Sequence, residues 1–142
     1  MKDEDWMEIA IKYASKTDYP YGAIIVKNDK LVSGAGTRRK DSLDPTAHAE
    51  ITAIRNACKK LKSSRLNNCV IYTTCEPCPM CFTACWLTGI KRIVYGMTLT
   101  DSSRLFFQEI DISSYQLNKK SGNSMLIKGK VLRDKIVKLF NK

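Results

Sequence analysis

The segment CVIYTTCEPCPMCFTACWLTGIKRIVYG, residues 69–96, decides the fold class of this chain. It opens with a short apolar run, Cys69–Thr73, which is typical of a strand. An apolar helix follows from Met80 to Leu87 and ends at Gly89, and a second buried strand follows at Arg92–Gly96. Strand, helix and strand in this order form a βαβ unit, whose strands are parallel and covered by helices.

Upstream of this segment, the sequence predicts two helices and a hairpin. The helices cover Asp5–Ala14 and about His48–Leu61, because their apolar residues recur at helical spacing. Between them, two predicted strands, Tyr21–Val26 and Leu31–Gly34, flank Asn28-Asp29 in the manner of a hairpin. The predicted fold is therefore α/β, with three layers, α/β/α, around a central mixed sheet.

Downstream, the pattern predicts an edge strand at Met125–Lys128 and a terminal helix at Val131–Phe140. No internal repeat, low-complexity tract or linker divides the chain. A domain has about 150 residues on average, so we expect residues 1–142 to form a single domain. Its basic C-terminal segment, residues 119–142, fits this pattern least well.

The chain carries a formal net charge of +10, with 24 Lys and Arg residues against 14 Asp and Glu residues. Seven units of this excess come from residues 119–142, where eight basic residues accompany the single acid Asp134. A basic excess favours an acidic partner such as RNA. A solvated basic helix face is, however, the commoner meaning of such a run. Charge alone therefore makes RNA a second choice of partner.

The N-terminal residues are acidic and amphipathic, and no apolar stretch approaches the length of about 20 residues that a membrane helix needs. We therefore expect no secretory signal, no membrane partner and a cytoplasmic location. In that compartment the six cysteines stay reduced. Reduced cysteines favour metal binding or catalysis over a disulfide framework.

One histidine and two cysteines form the clearest candidate metal site. His48 precedes Cys78-Pro79-Met80-Cys81 by 30 residues and is followed by Ala49-Glu50. Zinc takes nitrogen and thiolate ligands, and a catalytic zinc keeps three protein ligands and one position for water. We therefore predict one zinc ion per chain, held by His48, Cys78 and Cys81. Glu50 would lie close enough to exchange protons with that water.

Two other interpretations of the cysteines remain open at this point. A structural zinc site would take Cys75 or Cys85 as its fourth ligand, as in a basic nucleic-acid-binding module. An iron–sulfur cluster would use the C-x2-C-x2-C-x3-C spacing from Cys75 to Cys85, although Trp86 stands where proline is expected. Neither interpretation explains the His-Ala-Glu element, which favours a catalytic zinc.

The combination H-x-E…P-C-x-x-C is typical of zinc nucleobase deaminases, and the chain resembles the cytidine-deaminase-like superfamily. The resemblance rests on Tyr21–Lys27, Asp44–Glu50 and Thr74–Cys81, and it covers roughly residues 5–110. Within the superfamily, the form C-E-P-C-P-M-C is most similar to bacterial guanine deaminases. The tRNA adenosine deaminases share D-P-T-A-H-A-E but typically have Leu where Cys75 stands.

The resemblance also implies roles for individual residues beyond the three zinc ligands. Glu50 would be the general acid/base, and the backbone N–H of Ala49 would hold a polarised substrate oxygen. Glu109 falls where guanine deaminases carry a second acidic residue that contacts the purine and assists proton transfer. The residues alone equally allow Glu109 to be a surface carboxylate at a helix end.

For the substrate, the resemblance implies hydrolysis of guanine to xanthine and ammonia, by a homodimer. Relatives commonly have Asn seven residues before the Asp-Pro pair, where this chain has Thr37 followed by Arg38-Arg39. A hydroxyl has less hydrogen-bonding reach than a carboxamide, so the identity of the base stays open. Either arginine could contact a phosphate-bearing substrate, and we take Thr37 and Arg38 as the candidate substrate-binding residues. The alternatives are adenosine in tRNA, and cytosine or another small aminated heterocycle.

Overall fold

The computed structural model describes residues 1–141, so Lys142, which ends the predicted domain and its basic segment, lies outside the described residues. Its strands are β1 (Gly22–Lys27), β2 (Lys30–Gly36), β3 (Cys69–Cys75), β4 (Arg92–Met97) and β5 (Leu126–Lys128). They form one sheet in the order β2-β1-β3-β4-β5. Strand β1 is antiparallel to β2 and β3, whereas β3, β4 and β5 are parallel. The predicted mixed sheet is confirmed.

Helices cover both faces of this sheet. They are α1 (Asp3–Ala14), α2 (Arg39–Ser42), α3 (Ala49–Leu61), α4 (Pro79–Thr88), α5 (Leu99–Leu105), α6 (Ser114–Lys120) and α7 (Arg133–Phe140). On one face α1 and α7 pack against the sheet, and on the other α3 contacts the sheet and α4. This arrangement confirms the three-layer α/β/α fold. Within residues 1–141, none of the helices has the length and apolar character to cross a membrane.

The apolar run Ala23–Val26 of strand β1 is explained by burial on both faces of the sheet. Ala23 and Ile25 belong to the core beneath α3, whereas Ile24 and Val26 belong to the core beneath α1. Successive side chains of a strand point to opposite faces. A central strand of a three-layer fold is therefore buried on both faces, as the continuous apolar run predicts.

The hairpin between β1 and β2 is confirmed. Asn28 and Asp29 have φ of 51° and 60°, as the tight turn of a two-residue hairpin requires. The sequence reading missed α5 and α6, which lie between β4 and β5. Both begin with a capping box, formed by Thr98 with Asp101 and by Ser113 with Gln116. These short polar helices lack an extended apolar stripe, so their caps were the only local signal.

The βαβ unit positions the candidate site. Helix α4 connects the parallel strands β3 and β4, so its N-terminus lies at the carboxyl end of β3. Ligand sites of open α/β sheets lie at the carboxyl ends of parallel strands. The Cys78–Cys81 motif occupies this position, shortly after Cys75, the last residue of β3 that pairs with β4.

Candidate active site

The three candidate metal ligands lie at the beginnings of two helices. His48 is the N-cap of α3, and Cys78 is the N-cap of α4, with Pro79 at the first helical position. Cys81 lies in the first turn of α4 and is fully buried. Helix N-termini carry unpaired N–H groups and the positive end of the helix dipole, which stabilise thiolates. The N-terminus of α4 therefore favours a thiolate at Cys78.

The distances between the ligand atoms fit a tetrahedral zinc ion. His48 Nδ1 lies 3.7 Å from Cys78 Sγ and 3.6 Å from Cys81 Sγ, and the three ligand atoms lie within 4.8 Å of one another. Zinc bonds of about 2.0 Å to nitrogen and about 2.3 Å to sulfur, at tetrahedral angles, place N and S about 3.6 Å apart. The three residues could therefore hold one zinc ion.

The other cysteines do not join this ligand group. Within residues 1–141, the group contains His48, Cys78 and Cys81 and no fourth His, Cys, Asp or Glu. Cys75 and Cys85 are free, buried thiols, and burial raises the pKa of each. A four-cysteine cluster or a closed structural zinc site would need these thiolates. The geometry therefore favours a three-ligand site that keeps a position open.

Hydrogen bonds at the site prepare one thiolate. The hydrogen bond from Cys81, with a second from His48, lowers the pKa of Cys78 to about 4 despite its burial. The hydrogen bond to Cys78 also raises the pKa of His48. Metal binding requires a deprotonated thiolate and a neutral imidazole. The same Cys78–Cys81 hydrogen bond raises the pKa of Cys81, so the pair favours one thiolate, on Cys78.

Glu50 lies in the first turn of α3, beside the metal ligands. Its carboxyl group is buried, and burial, followed by the negative charge of Cys78, raises its pKa to about 7. A bound cation would act in the opposite direction and favour the carboxylate. Ala49, the first residue of α3, carries one of the N–H groups for which a helix has no internal acceptor.

A pocket of about 300 Å³ opens beside these residues. Its lining includes His48, Glu50, Cys78 and three residues from more distant segments, Thr37, Arg39 and Glu109. Thr37 is buried, and its hydroxyl donates a 3.4 Å hydrogen bond to the carbonyl oxygen of Ala47. The side chain of Ala49 is not part of the lining. The pocket therefore joins the metal ligands to both candidate carboxylates.

The two candidate arginines lie in different surroundings. Arg38 is exposed and lies outside the pocket lining, whereas Arg39 lines the pocket. The guanidinium of Arg39 lies 4.9 Å from the ring centre of Phe107, a cation–π distance. Of the two, Arg39 is therefore the arginine that can reach a bound molecule.

Glu109 lies in the pocket wall and not at an exposed helix end. It is half-buried in the segment after α5, and its Oε2 accepts a 2.8 Å hydrogen bond from the Ser102 hydroxyl. Burial raises the pKa of Glu109, although the Ser102 bond opposes this. Sequence reasoning missed Tyr21, Ser102 and Phe107, whose proximity depends on how segments distant in sequence fold together.

Sequence reasoning also missed Glu76, which connects the metal-binding motif to the beginnings of α5 and α6. This buried carboxylate accepts hydrogen bonds from the N–H of Leu99 at 3.1 Å and from the N–H and hydroxyl of Ser114 at 2.9 and 2.8 Å. Leu99 and Ser114 are the first residues of α5 and α6. Its place in the E-P-C motif, directly after the end of the buried strand β3, was the available signal.

Comparisons with known proteins agree with this geometry. Residues 1–97 match the cytidine and deoxycytidylate deaminase zinc-binding region. The chain is 43% identical over 90 residues to the guanine deaminase of Bacillus subtilis, which covers 63% of this chain and 58% of the relative. It is 35% identical over 145 residues to the tRNA-specific adenosine deaminase of Buchnera aphidicola, covering 99% of this chain and 92% of the relative.

Solved structures of both kinds of deaminase, those acting on guanine and those acting on tRNA, superpose on this chain. The Bacillus subtilis guanine deaminase superposes with a TM-score of 0.74 at 38% identity, covering 77% of this chain and 73% of that one. A structure from work on tRNA:A34 deaminases superposes with a TM-score of 0.79 at 26% identity, covering 95% and 98%. The chain therefore belongs to the cytidine and deoxycytidylate deaminase family and is one of its zinc-dependent deaminase domains.

Proposed function

We propose that this chain removes the exocyclic amino group of a free nucleobase by hydrolysis. Guanine, which is converted to xanthine and ammonia, is the preferred substrate. The observation that carries the proposal is that Glu50, Glu109 and two of the metal ligands, His48 and Cys78, line one pocket of about 300 Å³, with the third ligand, Cys81, buried beside them. Two carboxylates beside one reacting ring can divide the proton transfers between them.

Zinc held by these residues would keep one position for water and lower the pKa of that water toward about 7. Glu50 accepts a proton from the attacking water and passes it to the ring nitrogen beside the amine-bearing carbon. The water oxygen adds to that carbon, and Glu50 then takes the second proton, from the new C–OH group, and delivers it to the amine. The C–N bond breaks, ammonia leaves, and the carbon–oxygen double bond of the product forms. The N–H of Ala49 donates a hydrogen bond to a substrate oxygen, and Glu109 contacts the purine and assists proton transfer.

Guanine is favoured by the local match around the metal ligands. The C-E-P-C-P-M-C form resembles guanine deaminases, and the Bacillus subtilis guanine deaminase is 43% identical over the 90 residues that align. The chain spans only 58% of that relative. The proposal therefore rests on the pocket and its motif rather than on the C-terminal third.

Adenosine in tRNA is the second candidate, and two observations favour it. The Buchnera tRNA-specific adenosine deaminase aligns with 99% of this chain, and the net charge of +10 would suit a polyanion. Arg39, at the pocket wall, would then contact a phosphate or stack on a neighbouring base.

Ammonia release separates these substrates. Purified, zinc-loaded protein is assayed with guanine, adenine and cytosine, with their nucleosides, and with a tRNA anticodon stem-loop. Turnover of free guanine at a higher kcat/KM than any other substrate supports the proposal, and activity on the RNA alone overturns it. The predicted homodimer, single domain and cytoplasmic location stay predictions.

Thr37→Asn tests whether this buried position reads the base. A carboxamide both donates and accepts, whereas the Thr37 hydroxyl is directed at Ala47. We expect the substitution to raise kcat/KM for guanine by up to about 10-fold, the value of one added hydrogen bond. Unchanged kinetics for every base would contradict a substrate contact at this position.

A further inference from the structure

Tyr21 and Glu109 line the pocket, and the buried Ser102 joins them in a continuous line of hydrogen bonds. The Tyr21 hydroxyl lies 2.7 Å from Ser102 Oγ, and Ser102 Oγ lies 2.8 Å from Glu109 Oε2. Tyr21 precedes β1, Ser102 lies in α5, and Glu109 lies in the segment after α5. The line therefore joins three parts of the chain at the pocket.

The direction of these bonds follows from the groups involved. An ionised carboxylate can only accept, so Ser102 donates its proton to Glu109 Oε2. The Ser102 oxygen then accepts the proton of Tyr21. Burial raises the pKa of Tyr21, so its phenol stays protonated and remains a donor. Hydrogen bonds in such a line polarise and strengthen one another.

The backbone around Glu109 is held by the same helix. The Ser103 hydroxyl accepts a 2.9 Å hydrogen bond from the N–H of Glu109, and the carbonyl oxygen of Ser102 accepts hydrogen bonds from Phe106 and Phe107. Ser102 itself is completely buried. Glu109 Oε1, in contrast, has no hydrogen-bond partner within residues 1–141. One carboxylate oxygen is thus anchored, and the other is available to a bound molecule.

We propose that Tyr21 and Ser102 are positioning residues that orient the Glu109 carboxylate toward the substrate. This inference rests on the proposed function, in which Glu109 contacts the base. Glu109 lies outside any helix or strand, so the backbone alone does not fix its side chain. The two hydroxyls supply the missing constraint, and neither needs to touch the substrate.

The kinetic test asks whether the effects of substituting Tyr21 and Ser102 depend on the Glu109 carboxylate. Ser102→Ala and Tyr21→Phe are each made in the original chain and in a Glu109→Gln chain. We expect Ser102→Ala to lower kcat/KM by about 10-fold and Tyr21→Phe by about 3-fold, since each removes one hydrogen bond. In the Glu109→Gln chain each should change kcat/KM by less than about 2-fold. Equal losses in both chains would show a merely structural role and overturn the proposal.

Tyr19→Phe is the matched control. Tyr19 also packs against Phe107, with ring centres 5.3 Å apart, but its hydroxyl makes no hydrogen bond within residues 1–141. The control should retain the original kcat/KM. Tyr21→Phe keeps the ring that lies 6.0 Å from Phe107, so the two variants differ in the hydroxyl that binds Ser102.

A carbon-13 NMR titration of the Glu109 carboxyl group, in zinc-loaded protein, separates this inference from the proposed function. Ser102→Ala removes a bond to the ionised form, so the pKa of Glu109 should rise by at least about 0.5 units. A shift of this size supports the inference even if no free base is deaminated and the proposed function fails. An unshifted titration overturns the inference whatever the substrate proves to be.

Discussion

The two sides of the pocket hold their functional groups in different ways. On the metal side, defined here as His48, Glu50, Cys78 and Cys81, every residue is the N-cap or lies in the first turn of a regular helix. On the Glu109 side, defined here as Tyr21, Ser102 and Glu109, side-chain hydrogen bonds do this work. Helix geometry is local and rigid, whereas a line of hydroxyls depends on tertiary packing.

In the proposed mechanism, the metal side activates water and moves its proton, whereas the Glu109 side contacts the base and assists proton transfer. The spacing of the metal side is set by two helix starts. The Glu109 side comes from three segments that can change independently. We therefore expect substitutions on the metal side to abolish turnover and those on the Glu109 side to alter it.

The largest effect should come from the metal ligands. His48→Ala removes one of three ligands, so zinc should fall from one per chain to well below one. Loss of a metal that stabilises the reaction by several kcal/mol should lower turnover by more than about 10³-fold. Zinc analysis and ammonia release measure both effects. Full activity without zinc would contradict the assignment of the site.

Glu50→Ala should give the next largest loss while leaving the metal in place. A general acid/base contributes about 10²–10⁴-fold, and no other carboxylate lies in the first turn of α3. We expect at least about 10²-fold lower kcat with one zinc per chain retained. If turnover is retained, Glu50 is not the general acid/base. If zinc is lost, Glu50 contributes to metal binding.

Glu76→Gln probes the connection between the two sides. The Gln amide leaves one oxygen to accept and places an NH2 donor against the donors of Leu99 or Ser114. An unsatisfied buried donor costs about 1–3 kcal/mol, so the free energy of unfolding should fall by this amount in a denaturant titration. If the two sides are coupled through Glu76, KM should rise as well. Unchanged stability would show that the buried contacts are dispensable.

The smallest effect concerns acid stability of the helix that carries Ser102. Its N-terminal Asp101 pairs with Arg133 at 2.7 Å, and this hydrogen bond lowers the pKa of Asp101 to about 2. Because the unfolded value is about 3.9, the pair stabilises the fold above about pH 4, and this contribution is lost as the pH falls through about 2.

Asp101→Asn should flatten this acid dependence. Unfolding free energies measured between about pH 5 and 2 should converge with those of the original chain at the acidic end. Asp134→Asn is the control, because Asp134 is exposed and binds a different guanidinium nitrogen of Arg133. Parallel curves for Asp101→Asn and the original chain would show that another carboxylate governs acid unfolding.

Sequence reasoning reached the fold and the metal ligands because both depend on local patterns. The apolar runs in residues 69–96 identify β3, α4 and β4, and Gly89 ends α4 in the left-handed conformation that favours glycine. Cys78 and Cys81 lie within one helical turn. Only His48 comes from a different helix, α3, and the H-x-E motif identified it as a candidate ligand.

The same reasoning could not place Ser102 beside Tyr21, 81 residues away. Tyr21 begins a segment that carries the family resemblance, but Ser102 belongs to no motif, and α5 is too short to show an apolar period. Sequence reasoning also named Arg38 as the candidate contact, since the sequence does not show which of two adjacent side chains at a helix start points toward the pocket. Only the fold distinguishes the arginine that lines the pocket from the one that faces solvent.

The sequence by itself thus determined the α/β/α architecture, the three zinc ligands that fit together and the family to which the chain belongs. Helical and strand periods and short metal-binding spacings act over a few residues, so they can be read without coordinates. The tertiary structure alone decided how Glu109 enters the pocket and what holds it there. Contacts between distant segments depend on the packing of the whole chain, and no local pattern encodes them.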